Sequence, residues 1–389
     1  MERNLADRFD VDATRTFAPI VKVVTHVVTR HMSQALWNPR TRWSSKKVVL
    51  VGVQDESGMW GVGECYCDGG STESVVAIVQ NDFAPLVMGA TAGEIGRLGR
   101  DVKRGMVVAS RGGAAHAAWS GVDIALWDLL GKTLRTPVSS LLGGTASGAY
   151  AYASAGLYGK TKTTADLQDE MTGYIAQGFT GVKLKVGGLS VTEDLARVRA
   201  VREAVGPSVR LMVDALYALT VADALKMARG LAPLDVHFFE APVHPDNIAG
   251  LAEVRASRQV PVAGNEFAYG LPQFLALMQA RAVDVVHLDA ILCGGISEAM
   301  RIAALAEAFH LPVSMHAASS VVCLAANLHV AAAIPNSDSC EFHMMHRMLL
   351  DHCPPGHFRM DGAQLQLPNA PGLGLPFADP RELPAELAS

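Results

Sequence analysis

From about residue 148 onward, short apolar segments alternate with longer segments in which alanine and leucine recur at helical spacing. The helical spacing is clearest in Val191–Ala204, Val221–Leu231 and Ser297–Phe309. The short segments are typical of strands, because they are brief and mostly apolar, and most of them end in a polar residue. The predicted strands are Ala149–Ala153, Gly181–Lys185, Val209–Asp214, Val236–Glu240, Val260–Ala263, Val285–Asp289, Val313–His316 and Ser339–Glu341. Strand–helix units repeated about seven or eight times predict a β/α barrel in preference to an open doubly wound sheet.

The residues before this repeat mix strand-like and helix-like segments. Ile20–Thr29 and Lys47–Val53 are β-rich, and with Trp60–Glu64 they predict an antiparallel sheet. Ala114–Lys132 has apolar residues spaced for one face of a helix. The end of the chain is rich in proline and glycine, which predicts a segment outside the barrel. The predicted divisions are an α+β domain over 1–145, a barrel over 146–350 and a C-terminal segment over 351–389.

Composition and charge narrow the class of protein. A chain of 389 residues is long for one compact core, which agrees with two domains. The net charge is -5 and basic residues form no run, so we expect no nucleic-acid partner. No apolar run reaches the roughly 18 residues of a membrane span, and the first residues lack the apolar part of a secretory signal. We therefore expect a soluble, cytoplasmic protein.

Titratable residues stand at the carboxyl ends of the predicted strands from the second to the eighth, or, for Glu266, in the loop after the fifth strand. They are Lys183 and Lys185, Asp214, Glu240, Glu266, Asp289, His316 and Glu341. Side chains alternate along a strand, so the two lysines point the same way. A single acid at a strand end is more often a helix cap or a surface charge. The whole series favours a shared site at the mouth of the barrel, where barrel enzymes place their chemistry.

The residue types in this series predict a particular chemistry. Three converging carboxylates would repel one another unless a cation neutralised them, and oxygen ligands favour Mg²⁺. Lys185 on one side, and His316 paired with Asp289 on the other, are possible bases. A nearby cation or metal can lower the pKa of a lysine, and a carboxylate behind a histidine stabilises its protonated form. Such a site suits removal of a proton next to a carboxylate, with the metal and Lys183 stabilising the enediolate.

Several motifs make the chain resemble the mandelate racemase subgroup of the enolase superfamily over nearly its whole length. SGVDIALWDLLGK (Ser120–Lys132), followed by Pro137 and LLGG, is similar to the family's motif before the barrel, and GVKLKVGG (Gly181–Gly188) is similar to its lysine motif. The residues carried over by the resemblance are the metal ligands Asp214 (LMVDA), Glu240 (FFEAP) and Glu266 (GNEF), the dyad Asp289 (LDAILCGGISE) and His316 (SMHAA), and Glu341, which would hydrogen-bond the substrate carboxylate.

This resemblance implies a modified TIM barrel, (β/α)₇β, with an N-terminal α+β capping domain that the C-terminal segment completes. It also implies bound Mg²⁺, a small-molecule carboxylate substrate and assembly into a homo-oligomer. Capping loops at about Val28–Trp43 and Glu64–Ser71 would close over the substrate. The loop residues that could contact substrate are His31, Trp37, Arg42 and Tyr66.

Two positions depart from the family pattern. The asparagine often found two residues after the first metal ligand is Leu216, and the carboxylate often seen after the second is Ala241. These departures affect the surroundings of the metal ligands and leave the ligands themselves in place.

The resemblance favours one reaction and leaves others open. The segment Tyr150–Lys160 is similar to the first strand of acid-sugar dehydratases. We therefore predict dehydration of an aldonic or aldaric acid to a 2-keto-3-deoxy acid, with His316 as the general acid that expels the β-hydroxyl. A racemase or epimerase would use Lys185 and His316 in turn. A muconate-type cycloisomerase is disfavoured, since that group has lysines on both sides and no Asp–His dyad. A catalytically idle binding protein is supported only by Leu216 and Ala241.

Overall fold

The computed structural model describes residues 17–67, 72–109 and 112–387. The predicted capping loop Glu64–Ser71 is therefore described only as far as Cys67. Within these ranges, the chain folds into a capping domain with a mixed sheet and a closed barrel of eight parallel strands, which confirms the predicted fold class. The predicted domain limits themselves stay predictions, although the last helix before the barrel is Val138–Leu141 and the first barrel strand is Gly148–Ala155.

The capping domain is a sheet covered by helices. Its strands are β1 (Ile20–Trp37), β2 (Arg42–Asp55) and β3 (Trp60–Cys65), which pair antiparallel in that order. Its helices are α1 (Thr72–Ile78), α2 (Ala84–Val87), α3 (Ile95–Ala109), α4 (Ala114–Thr133) and α5 (Val138–Leu141). Helix α4 packs against β3 at very short range: a Cβ added at Gly63 would lie 2.0 Å from the carbonyl oxygen of Gly121. Glycine is the residue that permits this approach.

The barrel follows the predicted alternation of strands and helices. Its strands are β4 (Gly148–Ala155), β5 (Gly181–Lys185), β6 (Arg210–Asp214), β7 (Val236–Glu240), β8 (Val262–Gly264), β9 (Val285–Leu288), β10 (Val313–Met315) and β11 (Ser337–His343). Its helices are α6 (Thr164–Ala176), α7 (Val191–Val205), α8 (Val221–Leu231), α9 (Ile248–Ala256), α10 (Gly270–Gln279), α11 (Ala290–Cys293), α12 (Ile296–Ala308) and α13 (Val321–Ala333). Parallel pairing of β11 with β4 closes the barrel.

Side chains that alternate in direction along the barrel strands form two separate cores, one between the strands and the helices and one inside the barrel. Side chains that point outward, such as Val182 and Leu184, belong to the large core shared with the helices. Side chains that point inward form a separate cluster of Tyr152, Met212, Phe238, Ala263 and Val285. Because the side-chain period of a strand is two residues, the residues two positions further along face the same interior at the mouth. This register directs the strand-end acids into one space.

The motif before the barrel binds the turn that follows the sixth barrel strand. The backbone N–H of Gly294 donates to Ser120 Oγ (3.0 Å), and that of Ser297 donates to Asp123 Oδ1 (3.0 Å). The indole of Trp127 donates to Ser297 Oγ (2.9 Å). Helix α4 therefore positions the segment immediately after Asp289.

The C-terminal segment returns to both domains. The hairpin of β12 (Met360–Asp361) and β13 (Gln364–Gln366) pairs with the start of β4, and β14 (Glu386–Leu387) pairs parallel to β1. The buried carboxylate of Asp128 accepts hydrogen bonds from the backbone of Val62 and of Leu373, both at 2.8 Å. One side chain thus joins the capping sheet, helix α4 and the returning segment.

Among the helices of the described residues, none is both long enough and apolar enough to cross a membrane.

Candidate active site

The structure brings the strand-end residues together at one mouth of the barrel. All of them are buried, from 0% to 7% exposed, and they are Lys183, Lys185, Asp214, Glu240, Glu266, Asp289, His316 and Glu341. Burial of so many charges is tolerated only where each is paired or bound to a cation. The pairing among them therefore shows what the site can do.

Lys183 lies at the centre of the buried network. Its Nζ lies 2.5 Å from Glu240 Oε2, 3.1 Å from Glu341 Oε1 and 3.3 Å from the hydroxyl of Tyr152. Burial lowers the pKa of Lys183, but the carboxylates of Glu240 and Glu341 outweigh burial and leave it well above its ordinary value. Lys183 is therefore a fixed positive charge.

Lys185 lies nearer the opening and forms an ion pair with Asp214. Burial lowers the pKa of Lys185, but the charges of Asp214, Glu240 and Glu341 together outweigh burial, so the net shift is upward. The protein's own charges thus do not produce the lowered pKa that a base requires. Such a pKa would depend on Asp214 binding another cation.

His316 and Asp289 form a buried dyad at the opposite side. His316 Nδ1 lies 2.8 Å from Asp289 Oδ2, and Asn327 Nδ2 donates to Asp289 Oδ1 at 2.8 Å. Burial lowers the pKa of His316, but Glu341 and the hydrogen bond to Asp289 raise it to about 9. A protonated imidazole with a fixed orientation can serve as a general acid. Asn327, on α13, was not identified from the sequence, because a buried helical asparagine has no distinctive spacing.

Buried atoms without partners identify where a cation fits. Among the described residues, Glu240 Oε1, Glu266 Oε1 and both ring nitrogens of His287 are buried and have no hydrogen-bond partner. One ligand atom from each of these three residues lies within 4.8 Å of the others. Burial and the charge of Asp214 raise the pKa of Glu240 well above its ordinary value although Lys183 opposes the shift, so a second cation would stabilise the ionised carboxylate. The donor set fits a divalent metal ion.

The predicted ligand Asp214 does not join this group of unpartnered atoms. Its Oδ2 accepts from Lys185, and its Oδ1 accepts from the backbone N–H of Leu216 at 2.7 Å. His287 joins the group instead, with Nδ1 at 3.3 Å from Glu240 Oε1. The sequence contained a signal for His287, because it stands two residues before Asp289 and so faces the same side.

A cavity of 220 Å³ opens at the mouth of the barrel, next to Lys185 and His316. From the barrel it is lined by Lys185, Leu216, Phe267, His316, Ala318, His343 and His346, and from the capping domain by Asn38, Arg40, Thr41, Trp43 and Tyr66. Three larger hollows, of 380, 660 and 720 Å³, contain none of the strand-end residues in their walls. The smaller cavity is therefore the candidate substrate pocket.

The capping residues selected from the sequence are only partly those in the cavity wall. Tyr66 lines the cavity. Trp37 instead stacks on Tyr158 at 4.3 Å between ring centroids, and the guanidinium of Arg42 lies 5.3 Å above the Trp37 ring. His31 is exposed and pairs with Glu386 at 3.1 Å. The three residues other than Tyr66 are therefore absent from the lining of this cavity.

Arg40 connects the capping domain to the barrel beside the pocket. Its Nε donates to the carbonyl of Leu216 at 2.9 Å, and its Nη2 donates to the carbonyl of Tyr217. The hydroxyl of Tyr217 in turn donates to Glu266 Oε2 at 2.5 Å. The barrel turn after Asp214 is therefore held from the capping side and contacts a predicted metal ligand.

Comparison with known families covers both domains. Residues 20–143 match the family model described as mandelate racemase / muconate lactonizing enzyme, N-terminal domain. Residues 166–380 match the model described as enolase C-terminal domain-like.

Named relatives and solved structures agree with these models. The chain is 36% identical over 333 residues to an arabinonate dehydratase from Saccharolobus solfataricus, covering 86% of this chain and 89% of the relative. It is 31% identical to a D-galactarolactone cycloisomerase from Agrobacterium fabrum, covering 92% and 96%. It superposes with a TM-score of 0.84 on the crystal structure of a racemase from Streptomyces coelicolor with bound magnesium, at 30% identity, covering 91% and 96%.

Proposed function

The chain belongs to the mandelate racemase / muconate lactonizing enzyme family of the enolase superfamily, and on that premise we propose that it is a Mg²⁺-dependent dehydratase of an acid sugar. The observation that carries the proposal is the shared cavity. Lys185 and His316 both line it, and Asp289 lies 2.8 Å behind His316. The arabinonate dehydratase among the relatives supports the acid-sugar class of substrate.

The charged residues below the cavity would hold the carboxylate end of the substrate. Glu240 and Glu266, which have buried oxygens without partners, would bind Mg²⁺, and Asp214 would join them once its Oδ2 is released from Lys185. When bound, the ion supplies positive charge that stabilises the substrate carboxylate as the neighbouring carbon loses its proton. Lys183 adds a second positive charge, since its raised pKa keeps it protonated in the buried site.

The two candidate bases, Lys185 and His316, differ in the carboxylate contacts that control their protonation. Asp289 holds His316 through Nδ1, so Nε2 is the atom that gives or takes a proton. Lys185 is stabilised as an ammonium by Asp214, and it becomes a better base when the charge of Asp214 is engaged elsewhere. We assign the transfer of a proton to the leaving group to His316, because its raised pKa of about 9 keeps it protonated at neutral pH.

The bonds and protons exchanged during dehydration can be accounted for with these groups. A base takes the proton from the carbon next to the carboxylate. The electron pair left behind forms a carbon–carbon double bond as the β-hydroxyl departs, and His316 Nε2 gives that hydroxyl a proton so that it leaves as water. The resulting enol takes up a proton at the β-carbon and becomes a 2-keto-3-deoxy acid.

An isomerase is the second candidate function. Two proton-transfer groups on one cavity also suit a reaction in which one removes the α-proton and the other returns it. The magnesium-bound racemase and the cycloisomerase among the similar proteins support this class. All these reactions share the first proton abstraction and differ in the fate of the electron pair.

Proton NMR in D₂O with Mg²⁺ separates the candidates. The full-length protein is incubated with aldonic, aldaric and smaller 2-hydroxy acids, and we expect signals of a 2-keto-3-deoxy acid from at least one acid sugar. Loss of the α-proton signal without a keto product would replace the dehydratase by a racemase or epimerase. No change in any acid, with Mg²⁺ binding demonstrated, would contradict the acid-sugar proposal.

A further inference from the structure

The outer end of the substrate cavity is formed by two histidines on the last barrel strand and the turn after it. His343 stands two residues beyond Glu341 on β11, so it faces the same side and lies roughly 7 Å further toward the capping domain. The ring of His346 lies 4.3 Å from that of His343 and meets the edge of Trp43, from the capping domain, at 4.9 Å. A substrate whose reacting carboxylate lay beside Lys183 and the predicted metal ligands would place its far end at these rings.

Backbone hydrogen bonds determine the protonation state of His343. Its Nδ1 accepts from the backbone N–H groups of Met345 (3.3 Å) and His346 (3.2 Å). An acceptor nitrogen carries no proton, so the proton of the neutral ring is on Nε2. A second proton would have to displace both backbone donors. His343 therefore offers one neutral donor and resists becoming an imidazolium.

The cations in and behind the cavity wall already have hydrogen-bond partners in the protein. Among the described residues that line it, the lysine and arginine side chains are Lys185, paired with Asp214, and Arg40, which donates to two backbone carbonyls. Residues 33–35 and 68–71, outside the described part of the capping loops, add no lysine or arginine by sequence. Lys46 lies behind this wall, where its Nζ donates to the carbonyl of Ala318 at 2.8 Å, and burial, followed by the charge of Lys46, lowers the pKa of His346 well below its ordinary value. A second carboxylate placed here would lose its hydration and would find each of these cations already engaged with a protein group.

We propose that His343 and His346 are specificity-determining residues that receive a hydroxyl-bearing end of the substrate, so that the enzyme selects aldonic acids and rejects aldaric acids. The inference rests on the proposed acid-sugar function and narrows its substrate class. An aldonic acid ends in a hydroxyl, which can accept from a neutral imidazole N–H. An aldaric acid ends in a second carboxylate, which would lie buried among neutral rings.

Matched acids test the selection in the full-length protein with Mg²⁺. Each pentonate or hexonate is compared with the pentarate or hexarate of the same configuration, by kcat/KM for keto-acid formation and by calorimetric affinity. We expect the preferred aldonate to exceed its aldarate partner by at least about a hundredfold.

A variant that adds charge gives a readout that a merely structural role would not produce. His346→Lys should move the aldonate-to-aldarate ratio toward the aldarate by more than about tenfold, because a cation now faces the second carboxylate. His310→Lys is the control, since this exposed histidine follows α12 at the opposite end of the barrel and should leave the ratio unchanged. In a separate pair, His343→Ala should raise KM for the aldonate, and His343→Gln, which keeps a neutral donor, should recover part of the loss.

The outcomes separate this inference from the proposed function. Equal or better use of an aldarate by the native enzyme overturns the inference while the dehydratase stands. Selective binding of an aldonate without keto-acid formation supports the inference and contradicts the dehydratase. Failure of both classes to bind overturns both, whether or not the His346→Lys variant folds.

Discussion

Asp289 and Asn327 meet inside the barrel wall, where the amide nitrogen of Asn327 donates to Oδ1 of Asp289 at 2.8 Å while Oδ2 faces His316 at 2.8 Å. The aspartate is thus held on one side by α13 and holds the histidine on the other. Orientation of His316 therefore depends on a residue that has no contact with the cavity.

Replacement of His316 by asparagine tests the general-acid assignment. The variant keeps a polar side chain but cannot donate the proton that expels the β-hydroxyl, so we expect kcat for keto-acid formation to fall by at least about a hundredfold. Exchange of the α-proton, followed by NMR in D₂O, should persist if Lys185 is the abstracting base. Turnover equal to that of the native protein would remove His316 from the mechanism.

Asn327→Ala tests whether the hydrogen bond from Asn327 to Asp289 contributes to catalysis. Loss of the donor to Asp289 should lower kcat by roughly tenfold or more, with a smaller change in KM, since such supporting contacts typically matter to that extent. Asn336→Ala is the matched control, because its amide donates to the carbonyls of Ala303 and Leu311 away from the cavity. An Asn327 variant with native kcat would show that Asp289 needs no help from α13.

Metal binding can be measured without turnover. Calorimetric titration of metal-stripped protein should give one Mg²⁺ site, and Glu240→Gln should weaken it by more than about tenfold, because a charged oxygen ligand is lost. Glu307→Gln, an exposed helical change, should leave the affinity intact. Native affinity in the Glu240 variant would move the site elsewhere.

Replacing Arg40 or Arg42, two nearby arginines of the capping domain, should have different effects on KM. Arg40 donates to Leu216 and Tyr217 across the cavity, whereas Arg42 stacks on Trp37 outside it. We expect Arg40→Ala to raise KM by about tenfold, since the capping segment loses its attachment to the barrel. Arg42→Ala should change KM little. Equal effects of the two changes on KM would argue against the Arg40 contact.

Asp123 should make stability depend on pH. Burial raises its pKa from 3.8 to about 7, because hydrogen bonds with Ser297 compensate only partly. Between these two values the folded protein binds a proton that the unfolded chain does not, so the free energy of unfolding falls as pH rises from about 4 to 7. The fall amounts to roughly 4 kcal/mol for a shift of this size.

Replacement of Asp123 by asparagine tests this contribution. The variant should lose less of its free energy of unfolding over this pH range than the native protein does, which is measured as a difference in Tm between the two proteins that changes with pH. A difference in Tm that does not vary with pH would show that Asp123 does not titrate there.

Periodic features of the sequence predicted the fold well. The predicted helix Val221–Leu231 is observed with the same bounds, and Ala114–Lys132 ends one residue later. The predicted strand endings at Asp289 and His316 lie one residue beyond the observed strands, yet both side chains reach the mouth. Alternation and the spacing of one unit per strand determine which side chains converge, and this information is local to each strand.

Residues of the capping wall were harder to predict, because their positions follow from how two domains meet. Trp43 lines the cavity while Trp37, a few residues away, packs on Tyr158. No periodic pattern distinguishes the two tryptophans. His343 could have been found by continuing the alternation of the last strand beyond Glu341, whereas the contact of His346 with Trp43 depends on tertiary packing.

The pairing of β14 with β1 can form only late in the synthesis of the chain. The capping sheet leaves the ribosome before the barrel, but Glu386 and Leu387, which pair with part of the edge of β1, and Leu373, which binds Asp128, are translated only after the entire barrel. Throughout synthesis the nascent cap therefore has an uncovered strand edge, the feature that most readily pairs with other chains. The domain translated first is thus the one completed last, after the barrel has been synthesised.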